Sequence, residues 1–482
     1  MRMDAVELAG RIKAREISPV EAVAAAVERA RQVNGELNAI IAERYDAALA
    51  AAASIQVSAV AGGSSVLLGV PTLVKDCGTP GAGEPDYQGN RVLKALDNTA
   101  DHDCNVVSRL RAGGLVSLGR THSPEFAAGN GPATCETVAF GATRNPWDPT
   151  RTAMGSSGGA AAAVAAGIVP IAHGNDGGGS IRVPAAACGL VGLKATRGRI
   201  SWGPDAGEFW FGAATMGMLS RTVRDTAAGL DVLAGWTPGD HYTAPPPVRP
   251  FLDELGRDPG HLRIGLCTHH PRDRLHPAAA AAVDAVGNAL ADAGHEVSVS
   301  HPESYFDKDM LRAFVSMIDA NITFTMNAYE PVIGRAWTEA DVEHDTWQAF
   351  CRGRAVSAAQ YVAVTNTLNQ HGRRIAQWWE GDDAFDLLVT PTMGAPAPPL
   401  GYLIEEGVNR NHRLADILPY TQQSNITGQP AISLPLHWTD DGLPVGVQFV
   451  ARFGAEALLV RLAAQLEQTM PWSDRRPLIS AD

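Results

Sequence analysis

The chain opens on helical periodicity. Ser18-Pro19-Val20-Glu21 has the form of a capping box with proline in the first turn, and the alanine-rich run to Ala30 continues it as a helix. A second alanine-rich helix is predicted over about Tyr45 to Ala53. From Val66 to Val74 the sequence becomes apolar almost without interruption, then stops at Lys75-Asp76. Such a run suits a strand buried on both faces. Shorter apolar runs recur at 115–118, 168–172, 262–266, 386–390, 431–436 and 445–450, with helical stretches between several of them. The alternation predicts an α/β fold, a large central mixed β-sheet covered on both faces by α-helices.

Between about 244 and 381 the pattern is mostly helical, opened by Pro245-Pro246-Pro247, and reads as a peripheral region bordering the site. At about 150 residues per domain, 482 residues could make three domains, but large α/β enzymes also fold as one unit. We expect a single domain over 1–482: N-terminal helices 1–60, a catalytic core 61–240, the helical region 241–380 and the rest of the core 381–482.

The formal net charge is −13, without a run of five or six Lys or Arg, so no footprint for nucleic acid or an anionic membrane is present. A small uncharged or cationic partner fits better. The six cysteines, at 77, 104, 135, 188, 267 and 351, stand singly, which reads as reduced thiols in a cytoplasmic protein. Residues 1–34 carry acids throughout and do not resemble a signal peptide, and the small-residue stretch 158–172 is too short to span a bilayer.

Two glycine-rich segments carry the candidate chemistry. Met154-Gly155-Ser156-Ser157-Gly158-Gly159-Ala160 lacks the Gly-Lys-Ser/Thr of a phosphate loop. It formally fits G-x-S-x-G, but a nucleophile elbow needs a strand directly before it, and Asn145 to Thr150 reads as a loop. Alone it would be a helix-capping turn. The second segment runs from His173 to Pro184 and places Gly177, Gly178 and Gly179 directly before Ser180. Consecutive glycines expose main-chain N–H groups, the material of an oxyanion hole. Ser156, Ser180 and the strand-end Lys75 together form a constellation.

These segments resemble the amidase signature family of serine hydrolases. The resemblance rests on Gly69-Val70-Pro71 with Val74-Lys75-Asp76, on Gly141 to Trp147, on Gly155 to Gly159, on Asp176 to Ala185 and on Cys188 to Thr196. The late segments Gly428 to Pro435 and Gly442 to Gln448 extend it over nearly the whole chain. Ala172 to Asp176, Thr196 to Ser201 and Trp378-Trp379-Glu380 look most similar to the branch of the family that opens aminohexanoate cyclic dimers.

The resemblance implies that Ser180 is the nucleophile, Ser156 a bridging serine preceded by a cis peptide, and Lys75 the general base. A serine needs a base to become nucleophilic, and lysine can be that base when desolvation lowers its pKa. Gly177, Gly178, Gly179 and Ser180 are expected to offer backbone N–H groups to the oxyanion, while Ser157, Asp176 and Arg182 brace the loops. Asn130, Ile318 and Asn321 are expected near the substrate, with core packing an equally good reading for the helix 314–326. The chain departs from the common pattern at Met154, Cys77 (usually Asn), Asn175 and Gly177 (usually Thr or Ser). No cofactor or metal is implied; His173 is the one histidine to check, and a Ser-His-Asp triad lacks support.

The expected activity is hydrolysis of C–N bonds in uncharged linear or cyclic amides through an acyl-enzyme. Alternatives are a carbamate (urethane) hydrolase with the same triad, an amidotransferase A subunit in a multisubunit complex, and a non-catalytic scaffold. A homodimer is compatible with the resemblance.

Overall fold

The computed structural model describes residues 3–55, 65–127, 133–405 and 410–481. Its apolar runs assemble into two sheets. The smaller contains β1 (Ile40–Glu43), β2 (Pro71–Lys75) and β3 (Val116–Thr121) in the order β1-β3-β2, with β2 and β3 parallel.

The larger sheet contains β4 (Ile171–Asp176), β5 (Val191–Lys194), β6 (Thr215–Ser220), β7 (Arg263–Leu266), β8 (Glu296–Val299), β9 (Leu387–Pro391), β10 (Ala431–Trp438) and β11 (Pro444–Ala451). Their order is β8-β7-β9-β11-β10-β5-β6-β4, parallel among β8, β7 and β9 and antiparallel elsewhere. Edge strand β2 lies against edge strand β4, and Thr72 Oγ1 donates to Ile171 O at 2.9 Å across the seam.

The expected mixed sheet with helices on both faces is therefore present. Along β6, Met218 enters the apolar cluster built with helices Val223–Leu233, Pro277–Asp292 and Glu456–Thr469, while its neighbour Leu219 enters the opposite cluster. Alternate side chains of a pleated strand point to opposite faces, so each face has its own core. The second core holds α1 (Pro19–Leu37), α2 (Gly158–Ala165) and α3 (Arg182–Cys188). The capping box is formed: Ser18 Oγ accepts from Glu21 N–H at 3.1 Å, and Glu21 accepts from Ser18 N–H at 2.8 Å.

Three expectations change. The run 66–74 is not one strand, because Gly69 turns the chain at φ +74° and the strand begins at Pro71, with Lys75 as its last residue. The segment read as a loop before the serine-rich turn is a tight hairpin pairing Arg144–Asn145 with Asp148–Thr152. The region 241–380 is only partly peripheral, since β7 and β8 belong to the large sheet. Its later part, α4 (Lys308–Ile333), α5 (His344–Arg354) and α6 (Ala358–Ala376), forms a helical layer with a separate apolar cluster that includes Phe314, Ile318 and Trp210. A short helix, α7 (Gln422–Thr427), precedes β10.

Candidate active site

All five residues of β2 are buried, so the strand delivers Lys75 away from bulk solvent, with 0% of its surface exposed. Lys75 Nζ lies 2.6 Å from Ser156 Oγ and 2.5 Å from Asn175 Oδ1. Burial pushes the amine down to about 8, against the opposing pull of the carboxylates Asp176 and Asp76. Ser156 follows a cis Gly155–Ser156 peptide and precedes α2.

Ser157 ties the two glycine-rich loops together. Its hydroxyl donates to Asn175 O at 3.2 Å and receives Asn175 N–H at 3.3 Å, while its own N–H donates to Ser180 O at 3.2 Å. Beneath the second loop, Arg182 Nε and Nη2 each donate to Asp176 at 2.9 Å, and both residues are fully buried. Burial alone would raise the Asp176 pKa, but the Arg182 charge overcomes it and holds the carboxyl well below the usual range. Arg182 Nη1 also donates to Thr421 O, Ser424 Oγ and Gln448 Oε1 at 2.5–2.9 Å. Asn425 receives Nη2 at 2.6 Å and donates back to Asp176. A buried ion pair resists its desolvation cost only when its remaining donors and acceptors are occupied, as here.

The loop corrects the expected oxyanion donors in one respect. Gly179 N–H donates to Asp176 Oδ1 at 2.7 Å and is spent on bracing. Gly177, Gly178 and Ser180 remain. Gly177 has a packing requirement as well: a Cβ there would sit 2.6 Å from the Trp210 ring.

Ser156, Asn175, Gly177 and Ser180 share the floor of a cavity of about 610 Å³. Part of its wall is aromatic: Trp202, Phe209 and Trp210 stack in sequence, with centroids 5.1 and 6.1 Å apart and planes within 25°, and Phe126 and Tyr329 also line it. Tyr329 on α4 donates to Asp86 at 2.7 Å. At the rim His102 bridges Asp101 at 2.6 Å and Asp205 at 2.9 Å, bonds that raise it to about 8.

Asn130 lies outside the described residues. Ile318 is buried in the helical cluster and does not line the cavity, and Asn321 donates to Met317 O on its own helix at 2.9 Å. The α4 residues on the cavity are Thr325, Ala328, Tyr329 and Val332, one to three turns further along. His173 is fully buried without a hydrogen-bond partner among the described residues, and burial pushes it down to about 3. It is a neutral core residue. Asn175 and Trp210 were absent from the expected site, although Asn175 and Gly177 stood out as departures from the pattern. Those departures were the signal: one contacts the lysine, the other makes room for the tryptophan.

Residues 21–460 match the amidase family model, and the chain belongs to that family, whose members are hydrolases acting on carbon–nitrogen bonds other than peptide bonds. It is 40% identical over 486 aligned residues to the 6-aminohexanoate-cyclic-dimer hydrolase of Paenarthrobacter ureafaciens, covering 98% of this chain and 96% of the relative. A solved structure of 6-aminohexanoate cyclic dimer hydrolase superposes with a TM-score of 0.92 at 39% identity, covering 99% of both chains. A bacterial aryl acylamidase of the amidase signature family gives 0.86 at 27% identity, covering 98% and 97%. Among the described residues, no helix is long and apolar enough to cross a membrane.

Proposed function

We propose that the protein hydrolyses uncharged linear or cyclic amides through a Ser180–Ser156–Lys75 triad and an acyl-enzyme. The observation that carries this is the buried 2.6 Å pair between Lys75 and Ser156, set in the floor of the cavity that Ser180 also lines. Neutral Lys75 takes the Ser156 proton as Ser156 takes that of Ser180. Ser180 Oγ attacks the carbonyl carbon, and the oxygen gathers negative charge beside the N–H groups of Gly177, Gly178 and Ser180. Ser156 then returns a proton to the departing nitrogen, the C–N bond breaks, and water attacking the ester by the same relay frees the acid and Ser180.

The dry floor suits lysine as base, since an exposed lysine would stay charged. The aromatic walls suit an uncharged substrate, oriented by polar groups that also line the cavity, among them Asp86, Gln88 and Asn98. The similarity to cyclic-dimer hydrolases supports a cyclic or oligomeric amide built from short methylene chains.

The test is turnover of a 6-aminohexanoate cyclic dimer, a linear amide, an anilide and a carbamate by wild type, Ser180→Ala and Lys75→Ala. Either substitution should lower kcat/KM by at least about 10³-fold on every substrate the wild type cleaves. Wild-type rates in Ser180→Ala overturn the mechanism, and a carbamate cleaved in preference to all three amides overturns the substrate class. Activity should fall as pH drops through about 8, where Lys75 gains its proton. A flat profile with chemistry rate-limiting contradicts lysine as base.

A further inference from the structure

A neutral lysine amine carries two N–H bonds and one lone pair, and it can deprotonate Ser156 only when the lone pair points there. Lys75 is held by two contacts, to Ser156 Oγ at 2.6 Å and to Asn175 Oδ1 at 2.5 Å. The second has a fixed polarity. Asn175 Nδ2 donates to the carbonyl of Cys77 at 2.9 Å, and a carbonyl can only accept, so the amide cannot be turned over without losing that bond. Oδ1 therefore faces Lys75 and requires an N–H from it.

The carboxamide is itself immobilised. Asn175 lies on β4 with its backbone N–H and C=O both bound to Ser157 Oγ, so it joins β4, the serine loop and the Lys75–Cys77 turn. The charged and titratable groups around Lys75 are otherwise engaged or neutral. Asp176 is paired with Arg182, Asp76 accepts Tyr87 and Gly89 N–H, Arg120 donates to Thr79 O, His173 is neutral, and Cys77 and Cys135 are buried thiols. Neither carboxylate forms an ion pair with Lys75 among the described residues.

We propose that Asn175 is a positioning residue: by claiming one N–H of Lys75 it turns the amine's lone pair onto Ser156, and it does so without adding a charge. This rests on the reading of Lys75 as the general base. An alanine at 175 would leave the amine free to rotate. An aspartate, nearly the same shape, would lose the bond to Cys77 O but keep an oxygen on Lys75 and hold the proton on lysine.

The experiment measures kcat and KM across pH for Asn175→Ala and Asn175→Asp, beside Lys75→Ala, on an amide the wild type hydrolyses. Asn175→Ala should lower kcat about 10²-fold with KM unchanged, the loss typical of a reacting group misplaced by about 1 Å. Asn175→Asp should move the acid limb of the pH profile up by about 1–3 units, with activity recovered at higher pH, because an opposite charge in contact favours the protonated amine. Wild-type kcat in the folded alanine variant, or an unshifted acid limb in the aspartate variant, overturns the proposal. Should the alanine variant not fold, the near-isosteric aspartate decides alone. An inactive Lys75→Ala with both Asn175 variants behaving as wild type removes only this inference; an active Lys75→Ala removes the base itself.

Discussion

The floor and the walls of the cavity are built from different kinds of sequence and held by different forces. The floor is polar and dry: Lys75, Ser156, Ser157, Asn175, Asp176 and Arg182 are buried in a hydrogen-bonded network that joins β2, the serine loop, β4 and α7. The walls carry a stacked aromatic run, Trp202, Phe209 and Trp210 from the segment before β6, together with Tyr329 from α4. Hydrogen bonds are directional and buried unsatisfied groups are costly, so the floor tolerates almost no change. Stacked side chains tolerate exchange of shape. On the proposed function, the comparison puts chemistry in the floor and selectivity in the walls, where the two can vary separately.

The largest expected effect strikes the floor. Arg182→Met leaves Asp176 buried without its cation and should cost about 3–5 kcal/mol, read from the denaturant midpoint, with turnover lost on every substrate. If that variant kept its stability and lost only one substrate, the division between floor and walls would be wrong.

A smaller effect should come from the contact between the two regions. Gly177→Ala places a methyl 2.6 Å from the Trp210 ring and should cost about 1–3 kcal/mol of stability by overpacking. Trp210→Ala should change kcat/KM ratios among substrates by about tenfold or more while sparing the pH profile. Combined, the two should cost less stability than their sum, which a double-mutant cycle reads directly. Additivity would show that the ring does not depend on the missing side chain.

The smallest effect belongs to a polar anchor of the wall, Tyr329. Tyr329→Phe removes the hydroxyl donated to Asp86 and should cost about 1 kcal/mol, with a KM change confined to substrates long enough to reach α4. A large drop in kcat would move Tyr329 to the floor.

What the sequence reveals follows the same division. Lys75 and Ser156, in contact in the structure, and Ser180 on the same cavity stand at or beside short glycine and serine segments that constrain the backbone locally, and local constraint leaves a recognisable pattern. Most sheet strands showed as apolar runs, whereas β1, β5, β6 and β8 did not. Val191–Lys194 and Thr215–Ser220 each contain a glycine, and the short Glu296–Val299 is largely exposed, so these strands are set by their ladder neighbours rather than by propensity. The walls were harder still. Ile318 and Tyr329 are both plausible faces of one long helix, and only the packing of α4 against Trp210 and Phe126 decides which reaches the cavity. Gly179 shows the limit of motif reading, because its N–H looks free in the sequence and is taken by a carboxylate three residues earlier.

Arg182 finds Thr421 and Gln448 239 and 266 positions further along the chain. During synthesis, the Ser180 loop therefore waits for more than two hundred further residues before its support arrives. A ribosome-tethered intermediate ending ahead of Thr421 would carry Lys75, Ser156 and Ser180 while Arg182 still lacked these partners.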